Sequence, residues 1–275
     1  MKQFSFFCSL CFLLALWICC PAEIINGDTL KYNSALQKNL KYDVILLGGQ
    51  SNMLGVGLVS ELEDKYLPDN ITYLNYGLCS RQLRHPDWFG PEVGLSRVLA
   101  EKFPTRNFLL VKYAIGGSSL YDWAPDYEPE KAKITSHPEF GNMFGHYFSI
   151  IDSLSGLYEL NVAAILWMQG EADSKKYETA KEYYSNFNKL IRAFRRKTDN
   201  PELPFIFGEV NPATDRFPFV KIVQAAQLKA AKKIKFVYLI KTGDISKKAD
   251  KVHYDSSGQL ILGERFGNCL IRLNK

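Results

Sequence analysis

The sequence predicts an α/β protein, with helices covering both faces of a central, mostly parallel, five-stranded sheet. Three observations predict it. Short apolar runs alternate with segments of helical periodicity through most of the chain. The runs are continuously apolar, as in strands buried on both faces. Three of them end in glycine, at the sheet edge where such folds place their sites.

The first residues do not belong to that pattern. Lys2 precedes an apolar run over residues 4–20, broken only by Ser5 and Ser9, and Cys20-Pro21-Ala22 offers a small-residue exit. This reads as a signal peptide over residues 1–22, which makes the protein exported, secreted or periplasmic. An uncleaved membrane anchor is the alternative. A lipid-modified cysteine fits less well, because Leu16-Trp17-Ile18 lacks small residues. Residues 23–275 then form a single domain that begins with a polar lead-in.

Asp43-Val44-Ile45-Leu46-Leu47 is the first predicted strand and runs into Gly48-Gly49. Residues 107–113 form the second and end in Ala114-Ile115-Gly116-Gly117. Residues 162–168 form the third, followed by Gln169-Gly170. Residues 205–210 and 236–240 are the fourth and fifth. Helices are predicted at 92–103, where Gly90-Pro91 suits a helix start, and at 144–158, 177–196, 219–233 and 256–273. Residues 54–90 and 117–140 read as irregular stretches that fold over the strand ends and shape a cleft. Trp88, Tyr121 and Trp123 in these stretches are candidates to stack on a sugar ring or to pack in the core.

Composition bounds the function. The 275 residues are 47% hydrophobic and 23% charged, enough for one domain with a sizeable core. The net charge of +5 is spread along the chain. Arg195-Arg196-Lys197 and Lys232-Lys233 read as solvated helix faces, so no nucleic-acid partner is expected. Of six cysteines, only Cys79 and Cys269 lie beyond the signal segment. They leave one disulfide open and offer no CxxC zinc site. No metal or cofactor is expected. Asn70-Ile71-Thr72 is a glycosylation sequon.

Chemistry concentrates at the strand ends. Ser51, in Gly48-Gly49-Gln50-Ser51-Asn52-Met53, stands in a strand-to-helix turn, where a nucleophile is exposed and the helix dipole favours negative charge. Met53 excludes the G-x-S-x-G elbow, and no lysine follows to make a phosphate loop. The chain has four histidines, at 85, 137, 146 and 253. Only His253 has a carboxylate suitably spaced, Asp250, to fix its tautomer. Gly116 lets a backbone amide approach a ligand closely. Gln169 is a candidate side-chain donor to an oxyanion. Glu171 is a candidate to orient Gln169 or the loop, or to replace Asp250 as the acid.

Together, Gly49-Gln50-Ser51-Asn52-Met53, Gly90-Pro91-Glu92, Gly116-Gly117-Ser118, Trp167-Met168-Gln169-Gly170-Glu171 and Asp250-x-x-His253 resemble the motif blocks of the sialate O-acetylesterase-like carbohydrate esterases. These are a branch of the SGNH hydrolases, and the likeness spans residues 43–266. The resemblance implies a three-layer α/β/α, flavodoxin-like SGNH fold without a metal. It implies Ser51 as nucleophile, His253 as base, Asp250 as acid, and an oxyanion hole of the Ser51 amide, the Gly116 amide and the Gln169 side chain. Most SGNH enzymes use asparagine where this chain has Gln169. The substrate implied is an acetylated carbohydrate, sialate or another glycan. A non-catalytic glycan-binding module and a sugar O-acyltransferase remain as alternatives.

Overall fold

The computed structural model describes residues 31–273, apart from 32, 77, 80, 81, 84–86, 136, 137 and 214. The signal-peptide reading, His85 and His137 therefore lie outside the described residues.

Six strands form the central sheet: β1 (Tyr42–Gly49), β2 (Ile71–Asn75), β3 (Phe108–Ala114), β4 (Leu160–Met168), β5 (Phe205–Gly208) and β6 (Val237–Ile240). Their spatial order is β6-β5-β4-β1-β3-β2, and every neighbouring pair is parallel. The sheet expected from the sequence had five strands; the sixth is β2, inside a stretch read as irregular. It is an edge strand of five residues, ITYLN, paired with β3 on one side and met on the other by a single bridge from Asn33 to Thr72. Thr72 and Asn75 break the apolar run by which the inner strands are recognised. The Asn70 sequon also falls here. The Asn70 amide donates to the carbonyls of Phe103 (3.2 Å) and Arg106 (2.8 Å), and Thr72 is buried. Asn70 therefore braces the sheet edge.

The main helices lie close to where the periodicity predicts them. They are α1 (Ser51–Leu54), α2 (Glu92–Lys102), α3 (Met143–Ser155), α4 (Tyr177–Lys197), α5 (Val220–Lys233) and α6 (Ser256–Leu273). Alternation along β5 assigns the two faces. Phe205 and Phe207 stack edge-on against Phe187 of α4, at centroid separations of 5.4 and 5.0 Å. A Cβ on Gly208, one residue on, would lie 3.6 Å from Leu262 of α6. Phe194 of α4 meets Phe144 and Phe148 of α3, so α3 and α4 share a face. On the other face α2 packs on α6 at near-backbone contact. A Cβ on Gly94 would come within 2.1 Å of the Leu260 carbonyl, and one on Gly263 within 2.0 Å of the Pro91 carbonyl. The result is the three-layer α/β/α arrangement expected.

The carboxyl ends of β1, β3 and β4 all point to one edge. Ser51, Gly116 and Glu171 follow these strands directly, and the connection from β6 to α6 returns over the same edge.

Candidate active site

Ser51 opens the four-residue helix α1, immediately after β1. Gly49 makes the turn possible. Its φ is +141°, and a Cβ there would sit 2.1 Å from the Met168 carbonyl, which excludes any side chain. Gln50 is tied down on both sides. Its backbone N–H donates to Met168 O at 2.9 Å, and its side-chain oxygen accepts from the N–H groups of Gly170 and Ala172.

Behind α1 lies a buried ion pair. Lys112 stands in the middle of β3 and is wholly buried, as is Glu92 at the start of α2. The Lys112 ammonium lies 2.5 Å from Glu92 Oε2 and also donates to the carbonyls of Met53 (3.2 Å) and Leu54 (2.9 Å). A cation at those carbonyls complements the negative end of α1. Glu92 Oε1 accepts from Gly90 N–H. The Gly90-Pro91-Glu92 block and Lys112 thus anchor the nucleophile turn from beneath.

His253 reaches Ser51 from the connection between β6 and α6. Its Nε2 lies 3.0 Å from Ser51 Oγ, and its Nδ1 lies 2.6 Å from Asp250 Oδ2. With Asp250 ionised, Nδ1 carries hydrogen and donates, leaving Nε2 free to accept from the serine hydroxyl. Asp250 also accepts from the backbone N–H groups of Val252 (2.9 Å) and His253 (3.0 Å) through Oδ1. One carboxylate thus shapes the loop and orients the ring. Partial burial by itself would raise the Asp250 carboxyl. The hydrogen bonds from the His253 ring and from the two backbone N–H groups outweigh that effect and hold it at about 2.

Gly116 faces Ser51 across the cleft; a Cβ there would lie 3.8 Å from Ser51 Cβ. The loop that carries it is braced from behind. The Asp173 carboxylate accepts from Leu120 N–H, Asp122 from Ser119 N–H, and Ser118 Oγ from Trp123 Nε1. Gln169 belongs to this bracing. It is fully buried, and its amide donates to Ser118 O at 3.1 Å and to Asp173 Oδ2 at 2.5 Å. Both amide hydrogens are therefore engaged away from the cleft. To act as the oxyanion donor the sequence suggested, Gln169 would have to break one of these bonds.

Glu171 hydrogen-bonds to neither Gln169 nor the His253 ring, and its role is a supporting one. Its Oε1 accepts from Asn52 Nδ2 at 2.6 Å rather than from Gln169, and the His253 ring faces Asp250. Burial raises the Glu171 carboxyl; the Asn52 hydrogen bond and the charge of His253 oppose that rise. Burial likewise raises Asp173, to about 7.

Ser51, His253, Asp250, Gly116 and Glu171 line one cleft of about 550 Å³. Of the aromatics expected to meet a sugar, only Trp88 lines it. Trp123 is fully buried, 4.8 Å from Trp167 between ring centroids, and Tyr121 is buried with its hydroxyl on Glu182. Phe217, passed over in the sequence, is the second aromatic of the cleft. Lys175, Arg216 and Lys248 add positive charge to it. His146 is exposed on α3, and the Cys269 thiol is buried and free, so it forms no disulfide. Among the described residues no cluster of His, Cys, Asp and Glu has the makings of a metal site, and no helix is long and apolar enough to cross a membrane.

Known proteins share this fold. A probable carbohydrate esterase of Arabidopsis thaliana is 23% identical over 245 residues, covering 80% of this chain and 86% of its own. A solved Arabidopsis thaliana structure superposes with a TM-score of 0.66 at 19% identity, over 84% of this chain and 98% of the other. NanS gives a TM-score of 0.65 at 14% identity, over 86% and 99%. A carbohydrate acetylesterase from Xanthomonas citri gives 0.58 at 17% identity, over 82% and 55%. At these identities the structures speak for the fold. The family assignment rests on residues 41–272, which match the model of the carbohydrate esterases described as sialic acid-specific acetylesterases. The chain belongs to that family of carboxylic ester hydrolases.

Proposed function

We propose that the protein is a serine esterase that removes O-acetyl groups from carbohydrates through an acyl-enzyme on Ser51. The observation that carries this reading is the continuous hydrogen-bonded line from Ser51 Oγ through the His253 ring to Asp250, at 3.0 and 2.6 Å. A serine hydroxyl alone is a weak nucleophile; an imidazole in its neutral tautomer within hydrogen-bond reach activates it.

Ser51 Oγ attacks the acetyl carbonyl carbon as His253 Nε2 takes the hydroxyl proton. The carbonyl oxygen becomes an oxyanion, received by the backbone N–H groups of Ser51 and Gly116. Each such donor contributes roughly 3–4 kcal/mol to the transition state. His253 returns the proton to the sugar oxygen, which leaves as an alcohol. Water, deprotonated by His253, then attacks the acetyl-serine and releases acetate. Gln169, through Ser118 and Asp173, holds the Gly116 loop in place for this.

The sialate preference in the family description gains support from the cleft. Lys175, Arg216 and Lys248 on its wall favour a sugar that carries a carboxylate. Export after removal of residues 1–22 is proposed from the sequence alone.

The test is a screen of acetylated glycans by released acetate, with and without a sugar acceptor. The proposal expects acetate from O-acetylated sialic acid in preference to neutral acetylated xylan. Transfer of acetyl to the acceptor without free acetate would make the protein an acyltransferase. Binding without turnover would make it a glycan-binding module.

A further inference from the structure

Asn52 stands one residue after the proposed nucleophile, and its side chain reaches the loop that carries the proposed base. It is 1% exposed. Its Oδ1 accepts from Tyr254 N–H at 3.1 Å. Its Nδ2 donates to the Val252 carbonyl at 3.2 Å and to Glu171 Oε1 at 2.6 Å. Val252 and Tyr254 flank His253. One side-chain amide, fixed to the residue beside Ser51, thus grips the chain immediately before and immediately after the base.

Glu171 determines which way that amide faces. A flipped Asn52 would set its oxygen against the Glu171 carboxylate and the Val252 carbonyl, and its N–H groups against the Tyr254 N–H. The carboxylate makes the flip unfavourable, and burial removes any compensation from water. The three groups come from the ends of β1 and β4 and from the connection after β6. The clamp therefore ties together three segments that are distant in sequence.

Glu171 also carries charge. Groups facing His253 are Asp250, across its Nδ1, and Lys248 on the same cleft wall, with Glu171 behind. Glu171 itself also feels Lys175 and Lys247.

We propose that Asn52, held in orientation by Glu171, is a positioning residue for acyl transfer and sets the alignment of His253 on Ser51. This rests on the reading of Ser51 and His253 as nucleophile and base. Hydrogen bonds along the clamp fix the base loop relative to the serine, and an error near 1 Å in such an alignment lowers turnover on the order of 10²-fold.

The experiment is steady-state kinetics on an aryl acetate, with a pH profile and fluorophosphonate labelling. Asn52→Ala is expected to lower kcat on the order of 10²-fold with KM within about threefold of the parent. Asn52→Asp removes the donor and opposes a second carboxylate to Glu171; adding Glu171→Gln supplies the missing hydrogen from the other side. The double variant is expected to recover about tenfold in kcat over Asn52→Asp, which a generally loosened fold would not do. Glu171→Gln alone is expected to move the acid limb of kcat/KM to lower pH, because a negative charge that favours the imidazolium is gone. Asn52→Ala with kcat within about threefold of the parent overturns the proposal, and so does a double variant no better than Asn52→Asp. If Asn52→Ala does not fold, the comparison of double with single decides. Labelling that persists in Ser51→Ala would instead overturn the nucleophile, independently of the clamp.

Discussion

The proposed nucleophile and its proposed base are held in opposite ways. The turn around Ser51 is built on buried material: Gly49 pressed against Met168, Asn52 and Met53 at 1% and 0% exposure, and the Lys112–Glu92 ion pair beneath. The loop carrying His253 is partly open to solvent. Asp250 is exposed, and the loop keeps its shape because Asp250 accepts from the N–H groups of Val252 and His253, while Asn52 donates to the Val252 carbonyl and accepts from Tyr254 N–H. The contrast teaches where a substitution should be felt. Changes beneath Ser51 act on stability, because they leave a charge or a cavity in the core. Changes at His253 and Asp250 act on turnover, because these two side chains face the cleft, while their neighbours Val252 and Tyr254 are the ones buried in the core.

The largest effect expected is in the loop. Asp250→Asn keeps an oxygen for the two backbone N–H groups but disfavours the tautomer His253 needs. It should lower kcat on the order of 10³–10⁴-fold, with only a modest fall in the urea midpoint as the charge-assisted hydrogen bonds of Asp250 are weakened. A large stability loss in this variant would break the contrast from one side.

Lys112→Ala comes next and tests the other side. It leaves the Glu92 carboxylate buried without its cation, which costs about 3–5 kcal/mol. Urea unfolding should show it. Removing both charges, with Lys112→Met and Glu92→Gln together, should cost less than the sum of the two single changes.

A change of pH separates the buried wall of the cleft, where Asp173 braces the Gly116 loop, from the His253 loop, because their aspartates are shifted in opposite directions. Burial raises Asp173 to about 7. The unfolded aspartate has lost its proton by about pH 5, so the folded state binds more protons between there and 7. Asp173 therefore makes stability fall as pH rises through that window. Asp250 is held at about 2, so its contribution is present above the unfolded value and is lost as pH falls towards 2. Asp173→Asn should flatten the slope of stability between pH 4 and 7 and leave the acid limb unchanged, measured by unfolding across pH.

The smallest effect lies in neither region. Trp88, half-buried on the cleft wall, should contribute a stacking contact of about 1 kcal/mol. Trp88→Ala should raise KM for an acetylated glycan about fivefold and leave turnover of an aryl acetate alone.

The same contrast explains what could be read from the sequence. The four inner strands are apolar runs, broken in β3 only by Lys112, so their positions and the glycines after β1 and β3 were legible. Ser51, Asp250 and His253 were legible because an acid three positions before the histidine permits the contact. β2 was not, because an edge strand with Thr72 and Asn75 lacks the pattern of a buried one. Trp123 was left open between stacking and packing for a related reason: an aromatic in an irregular stretch gives no sign that Tyr113, Tyr147 and Trp167 surround it. Gln169 was assigned a direction that only three dimensions fix, since Ser118 and Asp173 compete for its amide. Lys112 did leave a trace. A lysine inside FLLVKYA, in the middle of a buried strand, requires a buried partner, and Glu92 in the Gly90-Pro91-Glu92 block is that partner. Asn52 left none, because what it binds is backbone some 200 residues away.

The most direct test of the central claim is covalent. The native protein should be treated with a fluorophosphonate, and the adduct located by peptide mass mapping. One adduct per chain on Ser51, absent in Ser51→Ala and strongly slowed in His253→Ala, is the result predicted. An adduct on another residue, or labelling undiminished in Ser51→Ala, would contradict the assignment of Ser51 as the nucleophile.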